Sequence, residues 1–135
     1  MHGYLSYALW QLDERDMAIA RIERAVELDT GYEWGWNQLK FYAAETGRPQ
    51  LAVDRARRLT QQRPAEALSW LALARVSEEP AVQLDALERA IAISPLSINA
   101  HTLKLDVLIA QERYDDAIAM LATTAWGENL PATVR

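Results

Sequence analysis

The sequence predicts an all-α chain of about eight antiparallel helices, stacked in pairs. Three observations carry this. Residues recur at fixed spacing: Trp36 and Trp70 are 34 apart, as are Ala18 and Ala52, and Thr30 and Pro64. A second spacing of 31 relates Pro49 to Pro80 and Pro64 to Pro95. Apolar residues within a unit return every three or four positions, as in Ala18, Ile22, Ala25 and Leu28, which marks one face of a helix. The two spacings agree if a 34-residue unit has lost three residues in its third copy, between Trp70 and Pro80.

In order, the helices are expected over 2–12, 16–29, 33–46, 49–62, 66–77, 80–93, 98–111 and 114–124. Asp13 and Asp16 stand at the start of the second, and Asp115 and Asp116 at the start of the eighth. Carboxylates there can cap free N–H groups and oppose the helix dipole. Pro49 and Pro80 are expected to open the fourth and sixth helices, where a missing N–H costs nothing. Pro64 and Pro95 are expected to end them, because the residue before proline disfavours helical geometry. Ala18, Ala25, Ala52 and Ala90 are small enough for neighbouring helices to approach closely.

The units themselves carry a pattern. The second reads Trp36, Leu39, Lys40, Ala43, Ala52, Ala56 and Pro64. The third reads Trp70, Leu73, Ala74, Ser77, Gln83, Leu87, Ala90 and Pro95. The first keeps Leu5, Ser6, Leu9, Ala18, Ile22, Ala25 and Thr30, and the fourth keeps Leu108, Tyr114, Ala117, Ile118 and Leu121. This resembles the tetratricopeptide-repeat family over nearly the whole chain. The resemblance implies a right-handed α-α superhelix, one domain over 1–135, with repeats near 1–32, 33–66, 67–97 and 98–131. Departures are Lys40 in a usually small position, Gln83 where the second helix normally has alanine, and a choice in the fourth unit. There either Lys104 takes the leucine slot or the turn is one residue longer; the longer turn, matching Leu103-Lys104 to Leu39-Lys40, is the expectation. His2 and His101 are expected in the slot of Trp36 and Trp70, with a packing role.

The first unit begins late, and the run "WGENLPATVR" after Ala125 reads as the start of a further unit. A fragment of a longer bacterial array is therefore expected. The end of such an array exposes apolar surface, with Trp10 and Trp126 as candidates for self-association.

Composition narrows function. There are no cysteines, which removes thiolate metal sites, disulfides and cysteine nucleophiles. No stretch approaches the roughly 20 apolar residues of a membrane span, and no basic-then-apolar signal segment opens the chain. A cytoplasmic location is expected, with the periplasm the alternative should a signal precede these residues. The net charge of −5 disfavours nucleic acid. Five arginines (Arg48, Arg55, Arg57, Arg58, Arg63) against Asp54 make one segment +4, so the remainder is −9. No phosphate loop, nucleophile elbow or zinc-protease motif is present, and Asp13, Glu14 and Asp16 lack the glycine and ligand order of a calcium loop. No enzyme activity, metal or cofactor is expected.

The family binds ligands in a concave groove lined by the first helix of each repeat. The resemblance places Gly3, Tyr4, Tyr7 and Trp10 there, then Trp34, Asn37, Gln38 and Phe41, then Leu68, Leu71, Ala72 and Arg75, then Asn99, Thr102 or Leu103, and Asp106. Tyr7, Trp34, Asn37, Gln38, Phe41, Arg75 and Asp106 are the candidate binding residues. The implied function is a scaffold holding a peptide or partner domain. The alternative is a regulatory or substrate-positioning segment of a larger enzyme or a polysaccharide-export or glycosyltransferase system. Arg48, Arg55, Arg58 and Arg63 form a second candidate, a basic patch for an acidic partner, while Arg57 is expected to pair with acids of the next repeat.

Overall fold

The structure is a computed structural model. It describes residues 2–123, with side chains from Leu5 to Ala122. The expectations for the side chains of His2, Gly3 and Tyr4, and for Trp126, lie outside these. Among the described residues, eight helices follow one another: α1 (His2–Gln11), α2 (Arg15–Leu28), α3 (Glu33–Glu45), α4 (Leu51–Gln62), α5 (Ala67–Val76), α6 (Pro80–Ile93), α7 (Ile98–Ala110) and α8 (Tyr114–Thr123). Each packs on its sequence neighbours, as expected of an all-α solenoid. α3 also lies directly against α5, so the first helices of the pairs form the inner layer.

One interaction recurs at three junctions. The Trp36 indole N–H donates to the Thr30 carbonyl at 2.9 Å, and that of Trp70 to the Pro64 carbonyl at 2.9 Å. His101 Nε2 stands 2.6 Å from the Pro95 carbonyl. A carbonyl only accepts, so Nε2 carries the proton. His101 thus occupies the tryptophan slot, six residues after the carbonyl as in the other two. This corrects the longer turn expected in the fourth unit. With His101 in that slot, Lys104 falls in the leucine slot of Leu39 and Leu73. It fits because its stem lies against the neighbouring helices while its ammonium reaches Glu88 of α6 at 2.6 Å.

The turns inside the pairs are equally regular. α1, α3 and α7 close with Asp13, Gly47 and Glu112 at positive φ. The next residues, Glu14, Arg48 and Arg113, donate back to Leu9, Ala43 and Leu108 carbonyls at 2.8 to 2.9 Å, satisfying the last free carbonyls of each helix. Asp13 is therefore the left-handed residue ending α1 rather than a cap of α2, and its carboxylate takes Arg15 Nε at 3.2 Å. Asp16, Asp115 and Asp116 do lie in first turns. Pro80 opens α6, but Pro49 sits in the preceding turn, where Leu51 N–H donates to the Arg48 carbonyl at 3.0 Å. Proline's fixed φ suits the second position of such a turn as well as it suits a helix start.

The three-residue loss falls at the end of α5, which has 10 residues where α3 and α7 have 13. Three residues are close to one helical turn, so the lost turn leaves the face pattern intact. The left-handed turn is lost with it, and Ser77 and Glu79 run extended to Pro80. Gln83 compensates. Its amide donates to the Ser77 carbonyl at 2.9 Å and the Ala74 carbonyl at 3.3 Å. Lys40 spans the same gap to Glu78 at 2.6 Å. Both departures from the family pattern thus serve the shortened helix.

The core runs through Ile22, Val26, Trp36, Leu39, Tyr42, Leu59, Leu73, Leu87 and Val107. Leu108, Ala117 and Met120 form a smaller cluster under α7 and α8. Replacing Gln83→Leu should lower stability in urea unfolding by about 1–2 kcal/mol, because two carbonyls lose their donor. An unchanged midpoint would mean that water serves them equally well.

Candidate functional site

On the inner layer, the helical spacing sets Trp34, Asn37 and Phe41 along one face of α3. All three are exposed, Trp34 by 39% and Phe41 by 49%, and Gln38 beside them is half-buried. On α1, Tyr7 is 51% exposed. Trp10, one turn on, is half-buried: its ring stacks on Tyr42 at 4.3 Å and meets Phe41 at 5.9 Å, while the Arg15 guanidinium lies 4.6 Å from its centroid. This corrects the expectation that Trp10 is open surface for self-association. Tyr42 and Arg15 take up its faces because α1 lies beside α3. Trp34 in turn tilts against Tyr32 at 5.8 Å. The structure thus brings Tyr7, Trp10 and Phe41 into one aromatic strip, with Trp34 and the Asn37 amide further along α3.

The remaining candidates stand apart. Arg75 reaches from α5 to the Glu33 carboxylate at 3.1 Å, so the groove's candidate cation is already paired. Asp106 is exposed on α7. Leu68 packs near Gly31, where an added Cβ would stand 3.4 Å from it. Glu33 and Tyr32 were not singled out from sequence, since their partners lie on other helices or outside the helical repeat.

The arginine segment turns toward α2. Arg48 bonds Asp16 at 2.9 Å. Arg55 holds Glu23, Nε to Oε2 at 3.0 Å, and also Glu27. Arg63 donates to Thr30 Oγ1 at 3.0 Å and to the Glu27 carbonyl at 3.3 Å. Arg58 is exposed beside an open cleft of about 590 Å³ that Arg48 and Arg55 also line. Three of the four patch arginines therefore tie α4 to α2. Arg57, expected to pair with acids of the next unit, has no ion-pair partner among the described residues; Asp85, the acid that α6 brings to the same cleft, bonds Arg89 instead.

Burial holds the Tyr42 hydroxyl above the usual tyrosine range; a hydrogen bond with Ser6 pulls the other way, and Tyr7 adds to the rise. Among the described residues no three of His, Asp and Glu gather as a metal site, and no helix is long and apolar enough to cross a membrane.

No protein-family model matches the chain, and no curated protein matches it by sequence. Solved structures do match. A thermophilic tetratricopeptide-repeat protein, TTC0263 from Thermus thermophilus, superposes with a TM-score of 0.56 at 19% identity, over 89% of this chain and 69% of that one. MamA from Desulfovibrio magneticus RS-1 gives 0.60 at 15% identity, over 94% of this chain and 73% of that one. Another MamA structure gives 0.58 at 19% identity, over 90% and 73%. The chain has the tetratricopeptide-repeat fold.

Two outcomes follow from this geometry. Arg55→Gln should cost about 1–3 kcal/mol, because Glu23 and Glu27 then face one another one turn apart without their shared cation. Arg58→Gln should leave the unfolding midpoint in place; equal losses would show that Arg55 contributes no bridge. For Tyr42, a folded-state pKa above the unfolded value of 10.0 means its contribution is whole below pH 10 and is lost as pH rises through the folded value. Stability measured against pH should fall above about pH 10 in the native chain, and more gently in Tyr42→Phe.

Proposed function

We propose that the chain is a protein–protein interaction scaffold that holds a partner's peptide, or a partner domain, along the inner layer of α1, α3, α5 and α7. The observation that carries this is the exposed aromatic strip. Tyr7, Phe41 and Trp34 leave two-fifths to one-half of their surface open on adjoining faces of α1 and α3. Rigid aromatic surface of this kind carries much of the energy in protein interfaces. Asn37 lies on the same face and offers both a donor and an acceptor to an extended backbone. Arg75 is engaged by Glu33, so the groove favours apolar side chains over a terminal carboxylate. The tetratricopeptide-repeat fold that the chain shares with the solved structures supports a scaffold reading.

Alanine at Asn37, Gln38 and Phe41 together should weaken a partner isolated with the native chain by tenfold or more in Kd, about 1.4 kcal/mol, with helicity by circular dichroism unchanged. Full affinity at unchanged helicity would remove the groove from the interface.

A further inference from the structure

The gaps between successive second helices are built from equivalent positions. Between α2 and α4, the acids Glu23 and Glu27 face Arg55, which bonds both. Trp36 in that junction is closed over, at 1% exposure. One unit further along, between α4 and α6, the repeat spacing puts Arg57 in the slot of Glu23, Gln61 in that of Glu27, and Ala86 in that of Arg55. Both carboxylates and the bridging guanidinium are gone. As a cleft of about 590 Å³ lies beside Arg55 at the bridged junction, an open cleft of about 480 Å³ lies here. Trp70, half-buried where Trp36 is sealed, lines it with Leu73 and Val82. The Arg89 guanidinium lies 4.9 Å from the Trp70 ring centroid and bonds Asp85 at 3.2 Å. Arg57, on the opposite wall, has no ion-pair partner among the described residues.

We propose that this cleft is a second docking site, separate from the aromatic groove, for an apolar segment of a partner protein that carries one carboxylate. One carboxylate pairs with Arg57 and a neighbouring aliphatic side chain rests on Trp70, Leu73 and Val82. The chain itself displays the complement: in the equivalent cleft a guanidinium on one wall is satisfied by carboxylates from the other. Here Arg57 places a guanidinium on the reversed wall, and the cleft's own carboxylate, Asp85, is taken by Arg89. A carboxylate from outside restores the pairing as a charge-assisted hydrogen bond. Asp85 already neutralises Arg89 and repels further acids, so the cleft takes a single carboxylate flanked by apolar residues, not an acidic run. Trp70, Leu73 and Val82 together supply the apolar wall.

The test uses a fluorescein-labelled heptapeptide with one glutamate between two leucines, and its glutamine counterpart, titrated into the full chain. The glutamate peptide should bind about tenfold more tightly, and Arg57→Gln should erase that difference. Arg58→Gln, exposed one residue on and lining the other cleft, should preserve it. The Trp70 indole N–H resonance, assigned with Trp70→Phe, should move on binding. Thermal melting checks that the exposed Arg57 position leaves the fold intact when replaced. Equal binding of the two peptides overturns the proposal. So does an equal loss in Arg57→Gln and Arg58→Gln, which would reduce the effect to general attraction by the arginine segment. A dimer dissolved by Arg57→Gln in sedimentation would make the occupant a second copy and overturn it too. The alanine variant at Asn37, Gln38 and Phe41 should bind the peptide unchanged; loss there would place the peptide in the groove and leave the cleft without a ligand.

Discussion

A ring N–H reaching back six residues to a carbonyl sets how each helix pair sits on the one before it. Trp36, Trp70 and His101 each make this bond, to Thr30, Pro64 and Pro95. The carbonyl is left without a helical partner where the preceding helix ends, and the ring satisfies it while filling the junction. Because the bond joins a turn to the next helix, it sets rotation as well as spacing. The rest follows from that rotation: Leu39 and Leu73 point inward, Phe41 points to the inner surface, and Lys104 falls in a slot held elsewhere by leucine. His101 performs the same task with less apolar surface, and the core beyond it separates into a smaller cluster.

The shortened α5 shows how such an array tolerates a deletion. Removing about one helical turn preserves which residues face the core. It does not preserve the helix end, whose carbonyls need donors. Gln83, one of the departures from the repeat pattern, answers this need by donating to the Ala74 and Ser77 carbonyls, while Lys40, the other, pairs with the Glu78 carboxylate beyond the helix end. A buried polar group without a partner costs more than the loss of alanine's close fit, so the exceptions are stabilising where they stand.

Charge does a different job at each junction. The arginines in and around α4 look from composition like one basic surface, yet Arg48 and Arg55 pair with the acids of α2. One unit on, the same wall positions carry Arg57 and Ala86 and no bridge forms. A repeat therefore keeps its helices in register while the residues between second helices vary, and junctions of one geometry carry an ion-paired tie in one case and none in the next.

The helices, their pairing, the slots of Trp36, Trp70, Pro64 and Pro95, and the place of the deletion are readable from the order of residues alone. These depend on helical periodicity and on backbone sterics within a few residues, which a single chain displays openly. The aromatic and amide character of α3's inner face was legible for the same reason. Helix packing, not residue order, sets Trp10 between Tyr42 and Arg15, pairs Arg75 with Glu33, puts Pro49 in a turn, and selects the arginines tied to α2. The bridges from Arg55 cross 28 and 32 residues. Whether such side chains meet depends on the offset and rotation of whole helices, which periodicity leaves open and packing fixes.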